Sequence, residues 1–146
     1  VAGFCWPWSK QLDEKRDLIK DVKIGDFEMP GNARPDLTGM RRGIPKAELW
    51  AYQEGGINQI GCVYTAQGFE FDYCGVIFGK DLRYNRESSS WEGYPDESHD
   101  TQVNKSDNFL QLVKNTYRVL LSRGMKGCYV HFGDKETEYF CRSRLV

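Results

Sequence analysis

Several things are scarce in this sequence, and each scarcity removes a class of function. Among 146 residues there are only two histidines, His99 and His131, and no Cys-x-x-Cys pair, so a zinc site has too few ligands to draw on. The five cysteines (Cys5, Cys62, Cys74, Cys128 and Cys141) are odd in number, and the first four sit in apolar runs. They read as reduced, buried thiols that behave as small hydrophobes, which favours a cytoplasmic origin over an oxidising compartment. No apolar run approaches the roughly 18 residues of a membrane span, so no membrane partner is expected. No basic flank and apolar core mark a secretory leader at VAGFCWPWSK. An initiator methionine is also lacking, so a domain from a longer protein is expected. Excess charge is absent too: 20 basic against 21 acidic residues give a net charge of −1. Any nucleic-acid binding must therefore use a local patch rather than a global field.

Two catalytic signatures are missing. The only Gly-Lys pair, Gly79-Lys80, is followed by Asp81 and has Cys74 where a phosphate-binding loop needs its first glycine. There is no Gly-x-Ser-x-Gly elbow for a serine nucleophile. A Cys–His pair through His131 and an acid–base pair of Glu70 with Asp72 remain as paper alternatives, and both rank last.

What is present suits one compact domain over residues 1–146: 40% hydrophobic and 14% aromatic residues are enough to bury a core. The chain is organised around Ile60–Gly79, IGCVYTAQGFEFDYCGVIFG. The apolar runs Ile60–Tyr64 and Tyr73–Phe78 are expected as buried strands flanking a polar connection with Gln67, Gly68, Glu70 and Asp72. Ligands of open α/β sheets gather at such connections, although a plain strand–turn–strand reads equally well from spacing.

Val1–Trp6 is expected as a first buried strand, ended by Pro7. Ser9–Asp21 is ambiguous between a helix and a hairpin whose tip is Asp13–Asp17, and Val22-Lys23-Ile24 alternates as a strand does. Glu28–Pro45 is rich in Pro and Gly and is expected as an irregular surface segment. Within it, Arg41, Arg42 and Lys46 form either a phosphate patch or a solvated basic loop, the second being favoured. Lys80–Lys105 is expected as an exposed insertion anchored by Trp91 and Tyr94. Ser106 or Asp107 should cap a helix running to about Arg123, with Phe109, Val113, Tyr117 and Leu120 on its buried stripe and Gly124 as its stop. Lys126–Phe132 should form a strand. Asp134 should cap a last helix, packed down through Tyr139, Phe140 and Cys141. The late alternation of strand and helix points to an α/β layer fold with a largely parallel sheet.

Arg118 and Arg123 close the first of these helices. Cations there complement the helix dipole, which is the simpler reading; the functional one is that Arg123 reaches a phosphate, for which guanidinium is suited by charge and shape.

Taken together, two stretches resemble superfamily 1 helicases. Cys62-Val-Tyr-Thr-Ala-Gln67-Gly68-Phe-Glu70-Phe71-Asp72 is similar to their motif V, usually T-x-H-x-x-Q/K-G-x-E-F, and Arg118-Val-Leu-Leu-Ser122-Arg123-Gly124 to motif VI, usually V-A-L-T-R-A. The chain resembles still more closely the Schlafen group 3-type DNA/RNA helicase domain family, known from bacterial proteins long listed as a domain of unknown function. Its hallmarks are matched by Ala2-Gly-Phe-Cys-Trp6-Pro-Trp8, by Asn32-Ala-Arg34-Pro35, by Gln59 through Gly79, and by Asn115 through Gly127.

The resemblance implies a RecA-like P-loop NTPase fold, with a mostly parallel sheet flanked by helices. It implies the second, C-terminal motor domain, which lacks a P-loop of its own. ATP and Mg would be bound mainly by an N-terminal RecA-like domain of the same protein, and the isolated domain would be inactive. By position, Arg123 matches the motif VI arginine that contacts the γ-phosphate. Gln67 and Gly68 match the motif V turn, Glu70 its acid, and Tyr64 and Thr65 the residues that touch DNA or RNA. Tyr64 replaces the usual His and Cys62 the usual Thr, which puts those nucleic-acid contacts in question; Ser122 keeps the hydroxyl. The alternative is a helicase-like module that binds or senses nucleic acid without motor activity.

Overall fold

The computed structural model describes residues 1–145. It is a mixed α/β protein with six short strands and three helices among these residues: β1 (Val22–Ile24), β2 (Phe27–Met29), α1 (Val63–Ala66), β3 (Phe71–Phe78), β4 (Leu82–Asn85), β5 (Ser90–Gly93), α2 (Phe109–Leu121), β6 (Gly124–Phe132) and α3 (Lys135–Arg142). The single domain expected from length divides into two compact units. One comprises Val1 with Trp6–Phe69; the other comprises Ala2–Cys5 with the chain from Glu70 onward. The boundary falls between Phe69 and Glu70, inside the stretch around which the sequence is organised.

In the first unit most backbone is irregular. Leu12 bridges Leu18 antiparallel, and the Asp13 amide donates to the Asp17 carbonyl at 3.0 Å, so Asp13–Asp17 is a hairpin tip rather than a helix turn. The strand expected at Val22–Ile24 is present and pairs antiparallel with β2 through the turn at Gly25. The run Ile60–Tyr64 is not a strand. Ile60 makes one parallel bridge to Gly31, and the chain then turns into α1. A short apolar run does not by itself tell a buried strand from a buried helical turn, and here the side chain of Thr65 caps the Cys62 amide and starts the helix. The segment Glu28–Pro45 is irregular as expected but not all surface: Asn32, Ala33 and Pro45 are buried.

The second unit is built on β3 and β6, which pair in parallel from Phe71↔Gly124 to Phe78↔Phe132. Ala2 adds a single parallel bridge to Ile77, so Val1–Trp6 contributes a bridge and not the full strand expected. Only β3–β6 is a parallel pair among the named strands; β1–β2 and β4–β5 are antiparallel. Lys80–Lys105 is mostly exposed or half-buried. It carries the β4–β5 hairpin, and Asp81, Leu82 and Ser98 are buried.

Helix α2 buries Phe109, Val113, Tyr117 and Leu120, the four residues of the expected stripe. Its N-cap is Asn108, one residue past the candidates; Ser106 instead accepts the Asn108 amide on its hydroxyl at 3.1 Å. Gly124 is not a left-handed stop. It opens β6, and a Cβ there would lie 2.2 Å from the Gly127 carbonyl oxygen. Ser122 ends the helix. Helix α3 starts as expected: Asp134 accepts the Thr137 amide at 2.8 Å. It packs through Phe140, which stacks on Tyr84 with centroids 3.6 Å apart, whereas Tyr139 is exposed. Trp91 meets both Phe140 and Phe78 and ties the hairpin to α3 and β3.

Candidate functional site

Residues 60–69 hold four of the six candidate residues, and the sequence dictates their setting locally. Cys62 precedes α1 in extended conformation; its amide donates to Thr65 Oγ1 at 3.1 Å, and the Gln67 amide donates back to the Val63 carbonyl at 3.1 Å. Gly68 follows with φ +89°, a left-handed conformation that a side chain resists, and this reverses the chain out of the helix. Tyr64, Gln67 and Gly68 are exposed. Thr65 is different. Its hydroxyl accepts the Cys62 amide and lies 2.9 Å from Asn32 Oδ1, to which it donates. The hydroxyl expected on nucleic acid is thus engaged inside the protein, while the neighbouring phenol of Tyr64 points a large ring to solvent.

The other two candidates meet in the second unit. Because Phe71 pairs with Gly124, the residues just before them, Glu70 and Arg123, stand at the amino-terminal ends of adjacent parallel strands. The Phe71 amide donates to the Arg123 carbonyl at 2.9 Å and fixes that juxtaposition. Glu70 is exposed and Arg123 is half-buried. The guanidinium is anchored locally: Nε donates to the Val119 carbonyl at 3.0 Å and Nη2 to Ser122 Oγ at 3.0 Å. Arg123 therefore does attend its helix terminus, as the simpler reading expected. Further along the pair, Asp72 and Lys126 form an exposed ion pair at 2.9 Å.

The remaining alternatives lose ground on chemistry. Burial pushes the Cys74 and Cys128 thiols up, which keeps them protonated and poor nucleophiles, and His131 is exposed on β6. Arg41, Arg42 and Lys46 are all exposed, and Arg41 already pairs with Asp17 at 2.6 Å, which suits a solvated basic loop. Among the described residues no group of three or more His, Cys, Asp or Glu side chains is arranged to hold a metal ion, and no helix is long and apolar enough to cross a membrane.

One residue escaped sequence reasoning. Asn32 lies in a segment expected at the surface, yet it is buried and accepts on Oδ1 from both the Cys62 amide and Thr65. Its place in the Asn-Ala-Arg-Pro hallmark was the only signal available for it.

Against known proteins, the family model for the Schlafen group 3, DNA/RNA helicase domain matches residues 1–134. The chain belongs to that family. A relative in Saccharomyces cerevisiae (strain ATCC 204508 / S288c), the uncharacterized protein YPL245W, is 34% identical over 105 residues, covering 66% of this chain and 22% of that protein. The Schlafen group 3 domain described here thus spans about a fifth of that relative's length. No solved structure matches the chain. Family membership makes a helicase-related domain of this chain.

Proposed function

We propose that the chain is the second, RecA-like motor half of an ATP-driven DNA or RNA helicase or translocase. One observation carries the reading: the parallel register of β3 and β6 sets the motif V acid, Glu70, beside the motif VI arginine, Arg123, at one end of the sheet. An acidic and a basic residue at neighbouring strand ends offer complementary contacts to a nucleotide: Arg123 to phosphate oxygens, Glu70 to a hydroxyl. Gln67 and Gly68 supply the exposed turn just ahead of Glu70 in the chain. Tyr64 presents its ring for a base or sugar. ATP and Mg are bound mainly by an N-terminal RecA-like domain that brings the P-loop this chain lacks.

On this reading Arg123 acts on charge that develops during phosphoryl transfer and contributes less to ground-state binding. The test is Arg123→Ala in the complete protein, with ATP turnover and nucleotide affinity measured separately. Turnover should collapse while affinity holds. Turnover equal to that of the unmodified protein would remove Arg123 from the mechanism, and activity from the isolated 146-residue chain would remove the two-domain site.

A further inference from the structure

Asn32 sits where three distant stretches meet, and every polar group it owns is used. Its amide donates to the Ile60 carbonyl at 2.8 Å, and its carbonyl accepts Trp8 Nε1 at 2.7 Å. Its side-chain Nδ2 donates to the Ala33 carbonyl at 3.0 Å. That leaves Oδ1, which accepts from the Cys62 amide at 3.2 Å and from the Thr65 hydroxyl at 2.9 Å. Both of these donors belong to the first turn of α1. Gln59 supports the same hub from the other side: Oε1 accepts the Ala33 amide at 3.0 Å and Nε2 donates to the Pro45 carbonyl at 3.3 Å. Trp50 Nε1 then donates to the Thr65 carbonyl at 3.1 Å.

A helix of four residues does not hold itself. It closes one full turn, so nucleation is not repaid by propagation and its pose must come from outside. Here the outside support is one buried carboxamide aimed at its N-terminus. The exposed residues of the same turn, Tyr64 and Gln67, have no comparable burial to orient them.

We propose that Asn32 is the positioning residue of α1: through Thr65 it sets the pose of Tyr64 and of the Gln67–Gly68 turn, and Thr65 serves this internal role rather than touching nucleic acid. The functional consequence rests on the motor reading above; the positioning does not. A side chain that fixes a short helix transmits errors of a fraction of an ångström to whatever that helix presents, and catalytic geometry is sensitive on that scale.

The experiment is a hydrogen-exchange cycle on this chain with Thr65→Val, Thr65→Ser, Asn32→Ala and the Asn32→Ala/Thr65→Val double variant. Amides of residues 65–67 should exchange about tenfold faster in Thr65→Val, while β3 amides keep their protection. Thr65→Ser should restore exchange to within about twofold of the unmodified chain, because it returns the hydroxyl. The double variant should be no faster than the faster single one, since both remove the same contact. In the complete protein, Thr65→Val should lower nucleic-acid-stimulated kcat with KM for ATP unchanged, and Thr65→Ser should rescue it. Should Asn32→Ala fail to fold, the Val and Ser pair decides. Unchanged exchange at residues 65–67 in Thr65→Val, or additive effects in the double variant, overturns the proposal. A complete protein without ATPase activity would instead remove the motor reading, and the exchange cycle would still judge Asn32.

Discussion

The Tyr117 phenol donates a 2.6 Å hydrogen bond to Asp81 Oδ1 and accepts the Gly79 amide at 2.8 Å, so one hydroxyl on α2 closes off the end of β3. Both side chains are almost fully buried, and Cys5 Sγ lies 4.0 Å from the same hydroxyl. Asp81 has no ion-pair partner within 4.0 Å among the described residues. Burial without a cation pushes its carboxyl up, and burial followed by the nearby Asp81 charge pushes the Tyr117 phenol well up.

The sign of the resulting pH dependence follows. A carboxyl whose folded pKa is raised above its unfolded value favours the folded state when protonated. That stability is fully present below the ordinary aspartate value of about 4 and is lost as pH rises through the folded pKa, at up to about 1.4 kcal/mol per pH unit. Asp81→Asn keeps an acceptor for Tyr117 and cannot ionise. It should flatten the decline in stability on the alkaline side of pH 4, read as denaturation midpoints across a pH series. A slope equal to that of the unmodified chain would show that Asp81 does not cause the dependence.

Tyr117→Phe keeps the ring, which stacks on Phe78 with centroids 3.9 Å apart, and removes only the hydroxyl. The Gly79 amide and the Asp81 carboxyl then lose a partner in a dry place, at a cost of about 1–3 kcal/mol for each stranded group. Urea denaturation should give a loss of a few kcal/mol by that arithmetic, and a loss under about 0.5 kcal/mol would mean that water replaces the hydroxyl.

Thr137 is fully buried in α3; its hydroxyl accepts the Tyr84 amide at 2.9 Å and donates to Asp134 Oδ2 at 2.6 Å. Thr137→Val, equal in shape, strands the β4 amide and half of the helix cap. A loss of about 1–3 kcal/mol is expected on thermal or urea unfolding, with Thr137→Ser recovering most of it.

Gly68→Ala tests the turn between α1 and Glu70. The open space around Gly68 means that no clash follows, so the expected penalty of about 1–2 kcal/mol comes from the left-handed backbone alone. Asn at this position, which tolerates φ near +60°, should cost less than Ala in the same unfolding measurement.

Much of the second unit could be read in advance because its signals are local. The α2 stripe is a period of 3.6, and the α3 start is an aspartate followed by a first turn with acids. Glu70 and Arg123 stood out by their polar connection and helix-end positions and by motif resemblance; their adjacency depends on strand register, which no short window encodes. Ile60–Tyr64 misled because an apolar run of five is compatible with either a strand or a turn of helix, and the deciding bond comes from Asn32, about thirty residues earlier. Asp81 fell within the segment expected as an exposed insertion, and its partner Tyr117 is 36 residues away.

The Arg123 guanidinium is already engaged within its own helix end. Its Nε rests on the Val119 carbonyl, which also accepts the Ser122 amide and hydroxyl at the end of α2. On the motor reading proposed above, engaging a phosphate is an exchange of acceptors: a neutral backbone oxygen is given up for an anionic one. The gain is then the difference between an ordinary and a doubly charge-assisted bond. On that reading the last turn of α2 is a parking place for the guanidinium, and the carbonyl it vacates keeps the Ser122 amide and hydroxyl as donors.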